Sequence, residues 1–274
     1  LSNVNETDFR NAAKKIYLEV VPSLPVIYGN NEIHISEVEG IYEYDHPLET
    51  MDPLPFGEVE KQIGEYVAEL VEDGSTIQLG IPDAVAHAFL DKKDLGVHTE
   101  MITNSILELV EAGAVNGRKK SINRGIIVGA FSRGSQRLYD FMDHNPCVAM
   151  NPCSYVNNPH VIARNYKMVS VNTAMGIDLL GQVSSESIGP MQYSGGQVDT
   201  VTGAIHATGG KSIIALASTA KNGTLSKICL SHAPGTAVTL SRNDVDYVAT
   251  EYGIVRLSGR TVRERAKLLI SIAH

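Results

Sequence analysis

The chain has 274 residues, 43% of them hydrophobic, 6% aromatic and none Trp, enough for a packed core in one large or two modest domains. A formal net charge of −8 argues against general nucleic-acid binding, which needs a basic face, while locally gathered Lys and Arg could still meet an anionic substrate. Cys147, Cys153 and Cys229 form no CxxC pair, so neither a disulfide framework nor a metal site is supported and a reducing, cytoplasmic setting is expected; no apolar run approaches the ~20 residues that span a bilayer, and no signal-peptide pattern opens the chain.

In chain order, Asp8 to Val20 has helical spacing, with Ala12, Ala13, Ile16 and Tyr17 on its inner face. Val26-Ile27-Tyr28 and Ile33-His34-Ile35 then read as a hairpin or two short strands. The acidic, proline-bearing stretch from Ile41 to Gly57 is the best linker in the chain. Beyond it, strands and helices alternate. Glu58 to Glu72 is a helix closed by Asp73-Gly74, Thr76 to Gly80 a strand, and Pro82 starts a helix running through Phe89. Gly96 to Glu100 is a strand, Asn104 to Glu111 a helix, Gly125 to Phe131 a strand and Gln136 to Met142 a helix. Strand Val148 to Met150, helix His160 to Asn165 and strand Met168 to Asn172 follow. This rhythm predicts an α/β fold, a mainly parallel open sheet flanked by helices. The later chain is strand-richer, at Lys211–Ser218, Leu225–Leu230, Ala237–Leu240 and Val245–Thr250, before a basic helix from Thr261 to Ala273.

Sites in open parallel sheets collect at the C-terminal ends of the strands. Gly80-Ile81-Pro82, His98-Thr99-Glu100 and Asn172-Thr173-Ala174 are all expected there. Two distant segments suggest chemistry. Val97 to Met101 presents a carboxylate at a strand end, and Ser194-Gly195-Gly196-Gln197-Val198-Asp199 is a glycine turn with bare backbone N–H groups. A carboxylate attacks a thioester or anhydride usefully only where donors stabilise the oxyanion, so the pair points to covalent acyl chemistry. Taken singly, a strand-end Glu is ordinarily solvated and a Gly-Gly turn is ordinarily just a turn. Of Glu100, Glu186 and Glu251, Glu100 is favoured by its apolar flanks, Glu186 reads as a loop organiser and Glu251 as a hydrogen-bonding corner. Arg118-Lys119-Lys120 reads as a solvated run, or as a contact for a nucleotide phosphate. His98, His206 and His232 lack metal-ligand spacing, and no GxSxG elbow or GxxxxGKS loop is present.

Six motifs in order carry a resemblance: Gly96-Val97-His98-Thr99-Glu100-Met101, Gly181-Gln182-Val183-Ser184-Ser185-Glu186-Ser187, Gly195-Gly196-Gln197-Val198-Asp199, Gly209-Gly210-Lys211-Ser212-Ile213-Ile214, Ser241-Arg242-Asn243-Asp244-Val245-Asp246-Tyr247 and Thr250-Glu251-Tyr252-Gly253. Together they resemble the acetyl-CoA hydrolase/transferase family, most of all its 4-hydroxybutyrate and butyryl-CoA:acetate CoA-transferases, from about Asn11 to the C-terminus. The resemblance implies a CoA-transferase fold, with residues 1–50 a remnant of the N-terminal domain and linker and residues 51–274 the C-terminal domain. It implies transfer of coenzyme A between a short-chain acyl-CoA and a free carboxylate through a glutamyl-CoA thioester on Glu100. The alternatives are an acyl-CoA hydrolase of the same fold and an inactive CoA-binding module. Gly196 matches the glycine whose N–H binds CoA or steadies the oxyanion. Gly80, Ile81, Met175, Ser194, Gly195 and Lys221 match CoA-contacting positions, and Asn157 a polar residue near the acyl group. No tightly bound cofactor and no metal is implied, coenzyme A being a substrate, and the assembly expected is a cytoplasmic homodimer with no nucleic-acid or membrane partner. Relatives read Gly-Ile-Gly-Gly-Ile-Pro where this chain has Gly80-Ile81-Pro82, and Ser-Gly-Val-Gly-Gly where it has Ser194-Gly195-Gly196. The resemblance further implies family segments before Leu1 and after His274.

Overall fold

Ile213 and Ile214 are neighbours in one strand, yet they belong to two different hydrophobic cores. Ala249 and Val248 divide in the same way. Successive side chains in a strand point to opposite faces, so these pairs mark a sheet buried on both sides, as parallel sheets are. The computed structural model describes residues 10, 12–53, 55–80, 83–188, 191–192 and 195–274. Its central sheet has six strands, β1 Thr76–Gly80, β2 Gly96–Val97, β3 Met168–Thr173, β4 Lys211–Ala215, β5 Tyr247–Thr250 and β6 Gly253–Arg256, in the order β6-β5-β4-β3-β1-β2. All neighbours are parallel except the β5–β6 hairpin.

Four helices supply most of the cover. Helix α1 (Glu58–Leu70) lays Ile63 and Val67 on one face, and α2 (Asn104–Glu111) adds Ile106 and Leu109 to the same core. On the other face, α3 (Gln197–His206) contributes Val201 and α4 (Val262–Ser271) contributes Leu269. Gly203 lets α3 cross the short helix Pro159–Ile162 closely, because a Cβ there would strike the Ile162 side chain. The expected α/β class with a mainly parallel sheet and flanking helices holds. Among the described residues, no helix is long and apolar enough to cross a membrane.

Several local expectations are corrected. Tyr17–Val20 is a strand, not the end of a helix, and pairs in parallel with Gly40–Glu43. Its β-branched end and the prolines that follow leave no room for another helical turn, and the pairing decides the matter. Ala12 and Ala13 are exposed rather than inward-facing. Of the hairpin or two short strands expected at 26–35, only Tyr28–Gly29 is a strand, pairing with Val148–Met150, and His34 caps a 3-10 turn at Ile35–Glu37. Ala237–Leu240 forms only a bridge, from Leu240 to Val183, and the Gly253–Arg256 strand was not anticipated. The helix expected to start at Pro82 spans Asp83–His87, with Pro82 itself outside the described residues. Lys120 is not part of a solvated run. Its side chain is buried across Gly96, and its Nζ donates to the Val97 and Ile126 carbonyls at 2.7 and 2.6 Å.

Candidate active site

Glu100 sits where the chain changes sheets. Gly96–Val97 pairs with β1, His98 bridges to Val128, and Met101–Ile102 pairs instead with Phe131–Ser132. At the hand-over the Glu100 carbonyl accepts from the Ala130 and Phe131 N–H groups at 2.8 and 3.1 Å, which fixes the backbone. The half-buried side chain is thereby aimed across the C-terminal ends of β1 and β3. A cleft of about 230 Å³ opens there. Leu79, Met101 and Phe131 form its apolar wall, and Gly80, Glu100, Asn172, Thr173, Ser185, Glu186, Gly195 and Gly196 contribute to the rest of its lining.

Two elements meet the Glu100 carboxylate. Asn157 lies between two short helices: its N–H donates to the Cys153 carbonyl as the C-cap of Cys153–Val156, and Asn158 then caps Pro159–Ile162 through His160 N–H. The Asn157 amide Nδ2 donates to Glu100 Oε2 in a short hydrogen bond. The second element is the start of α3. Gly196 is its N-cap, and a Cβ on Gly196 would collide with both the Glu100 carboxylate and the Asn157 amide. Glycine is therefore required at 196 by close approach. The positive end of the ten-residue helix α3 begins beside the carboxylate and favours negative charge there.

A buried polar network holds α3 to the sheet. Gln78 Oε1 accepts from Ser170 Oγ at 2.8 Å and from Asn172 Nδ2 at 3.3 Å. Asn172 Nδ2 also donates to Thr200 Oγ1 at 3.2 Å, and that hydroxyl donates to the Gln197 carbonyl at 3.1 Å. The Gln197 side chain donates to the Thr173 carbonyl at 2.8 Å and accepts from Ser185 Oγ at 2.7 Å. Gly80 is bare because a Cβ there would approach Asn172 Oδ1 to 2.8 Å. Behind Glu100, burial pushes the His98 imidazole down to about 4 and the Lys120 ammonium down to about 7. Burial also raises the Asp199 carboxyl in the first turn of α3.

Glu100, Gly196, Asn157, Gly195 and Gly80 thus converge, as the sequence led us to expect. Met175 and Lys221 do not line this cleft. Met175 is half-exposed with its N–H on the Ser184 carbonyl, and Lys221 is exposed in a left-handed turn at φ 51°. Ile81 and Ser194 lie outside the described residues. Glu186, read as a loop organiser, lines the cleft. Glu251 is the corner anticipated, its carboxylate accepting from Ser218 N–H and Oγ at 2.8 and 2.6 Å. Missed altogether were Gln78, Thr200 and the helix α3. Polar Gln78, Ser170 and Asn172 inside otherwise apolar parallel strands were the available signal, since buried polar groups need partners.

Chemically, this is a carboxylate with an amide donor and a helix N-terminus arranged around one of its oxygens. Comparison with known proteins places the chain in a family. The model of the acetyl-CoA hydrolase/transferase C-terminal domain matches residues 134–274. The chain is 50% identical to a succinyl-CoA:cyclohexane-1-carboxylate CoA transferase of Geobacter metallireducens, over 96% of this chain and 61% of that protein. It is likewise 50% identical to the 4-hydroxybutyrate coenzyme A transferase of Clostridium kluyveri, over 96% of this chain and 62% of that protein. The chain therefore spans about three-fifths of the length of these relatives. Among solved structures, the 4-hydroxybutyrate CoA-transferase of Porphyromonas gingivalis superposes with a TM-score of 0.89 at 40% identity, covering all of this chain and 66% of that one. The chain belongs to the acetyl-CoA hydrolase/transferase family.

Proposed function

We propose that the protein moves coenzyme A between a short-chain acyl-CoA and a free carboxylate, with Glu100 as the covalent carrier. The observation that carries this reading is the convergence of Asn157 Nδ2 and Gly196 on the Glu100 carboxylate at the edge of a cleft with one apolar wall. A Glu100 oxygen attacks the thioester carbonyl carbon. Collapse of the tetrahedral adduct breaks the C–S bond and gives a mixed anhydride and CoA thiolate. The thiolate then attacks the Glu100 carbonyl, releasing the first acid as its carboxylate and leaving a glutamyl-CoA thioester. An incoming carboxylate runs the steps backwards, yielding the new acyl-CoA and free Glu100. Each step exchanges one activated acyl bond for another, and the developing oxyanion is met by the Asn157 amide and the Gly196 N–H. Each such donor contributes about 3–4 kcal/mol of transition-state stabilisation.

The names of the two 50%-identical relatives, both CoA transferases, support the activity, and Leu79, Met101 and Phe131 suit an aliphatic acyl chain. On the same resemblance we assign CoA contacts to Gly80, Ile81, Met175, Ser194, Gly195 and Lys221, a catalytic domain to residues 51–274, and a cytoplasmic homodimer to the assembly. The test is the intact mass after exposure to butyryl-CoA. A gain equal to CoA less one water, lost on borohydride reduction and absent in Glu100→Ala, is expected. Unmodified wild-type protein that still binds CoA would point to a binding module, and acceptor-independent CoA release to a hydrolase.

A further inference from the structure

His98 is buried, with 1% of its surface exposed, two residues ahead of Glu100. Its Nε2 lies 2.8 Å from the carbonyl oxygen of Val156, the residue immediately before Asn157. A carbonyl only accepts, so the ring proton must be on Nε2. Burial keeps the imidazole neutral, with its value pushed down to about 4, so the ring has one proton and this bond uses it. Nδ1 has no partner among the described residues. Tyr155, whose ring centroid is 6.4 Å from that of His98, is fixed from its other end by a 2.8 Å bond from its hydroxyl to Asn123 Oδ1. The His98 bond therefore ties two separate elements together, its ends one residue from the amide donor and two from the carboxylate.

We propose that His98 is a positioning residue for acyl transfer, holding the Asn157 amide against the Glu100 carboxylate through its bond to the Val156 carbonyl. The proposal rests on the reading of Glu100 and Asn157 as nucleophile and donor. A helix-end carbonyl needs a donor in any case, so a purely structural bond would affect stability and leave the rate of covalent capture alone. Positioning acts on the rate, because a displacement of about 1 Å at a reacting group costs on the order of 100-fold.

The experiment measures single-turnover capture of butyryl-CoA, KM and thermal midpoint for the full chain in five forms: wild type, His98→Leu, His98→Gln, Asn157→Ala and the His98→Leu/Asn157→Ala double variant. Capture by His98→Leu should fall roughly 10- to 100-fold with KM little changed. His98→Gln, whose amide nitrogen reaches as far as Nε2, should recover most of the rate. The double variant should be no slower than Asn157→Ala, since His98 acts through that amide. Multiplicative losses in the double variant, or a lowered midpoint with wild-type capture in His98→Leu, would overturn the proposal. If His98→Leu does not fold, His98→Asn replaces it. Its shorter amide should leave capture slow where His98→Gln is fast, and equal rates would count against the proposal. Wild-type capture by Asn157→Ala would instead remove the donor assignment itself, a failure distinct from that of His98.

Discussion

Gly196 stands so close to Glu100 that no side chain fits between them: a Cβ at 196 would run into the Glu100 carboxylate and the Asn157 amide together. Neighbouring Gly195 has open space at the same point. The two glycines of one turn therefore answer to different demands. Gly196 is glycine for close approach to the Glu100 carboxylate, at an ordinary φ of −84°.

The methyl test follows directly. Gly196→Ala is expected to displace Glu100 or tilt the start of α3, and to lower single-turnover capture by roughly 100- to 1000-fold, the cost of losing one oxyanion donor. Gly195→Ala should stay within a few-fold of wild type. Equal losses in the two variants would mean that the turn, rather than the contact with Glu100, sets the rate.

Asn172 ties β3 to both β1 and α3, through Gln78 and Thr200. Asn172→Leu leaves Gln78 and Thr200 short of partners in a buried site, a cost of about 2–3 kcal/mol. Denaturant unfolding should show that loss with an unchanged slope. Capture should slow as well, because α3 is no longer held to the strand end. Undiminished stability would show that water substitutes for the amide.

The sequence made the alternation of the middle of the chain plain, because parallel strands such as Met168–Thr173 are apolar runs between helices with clear stops. It singled out Glu100 and the Gly195-Gly196 turn by strand-end position and residue chemistry, while Asn157 came only through motif likeness. Helix α3 was missed for a physical reason. Val198, Thr200, Val201 and Thr202 are β-branched and Gly203 interrupts them, so local propensity argues against a helix. Its packing on β3 and β4, and on Ile162 through Gly203, overrides that propensity. The Tyr17–Val20 strand failed in the opposite direction, its helical spacing being overruled by a partner strand more than twenty residues away. Lys120 was misread because charge runs usually face water, and only the fold shows two carbonyls waiting for its ammonium.

His98 gives stability a pH signature in acid. Folded, it protonates at about 4, whereas the ordinary histidine value is 6.5. Between those values the unfolded chain binds a proton that the folded chain does not, so stability falls as pH drops from 6.5 towards 4, by roughly 3 kcal/mol in all. Above 6.5 the contribution is fully present. His98→Gln should lose stability less steeply over that range, as read by unfolding at pH 6.5 and 4.5. Parallel curves would mean that the ring is charged in place.

Lys120 acts on the alkaline side with the same sign. Its folded ammonium releases its proton at about 7 instead of 10.5, burial being the cause. Below pH 7 both folded and unfolded chains hold that proton, and the cost of burying the charge is constant. Between 7 and 10.5 only the unfolded chain binds it, so the cost is relieved and stability rises with pH, by on the order of 2–3 kcal/mol by pH 9.5. Lys120→Met lacks that rise, although it also leaves the Val97 and Ile126 carbonyls without their donor and should be less stable than wild type at pH 9.5. Unfolding of both proteins at pH 7 and 9.5 isolates the effect, because the other titrating groups are common to the two chains. Identical pH slopes would show that the carbonyls keep Lys120 charged across the whole range.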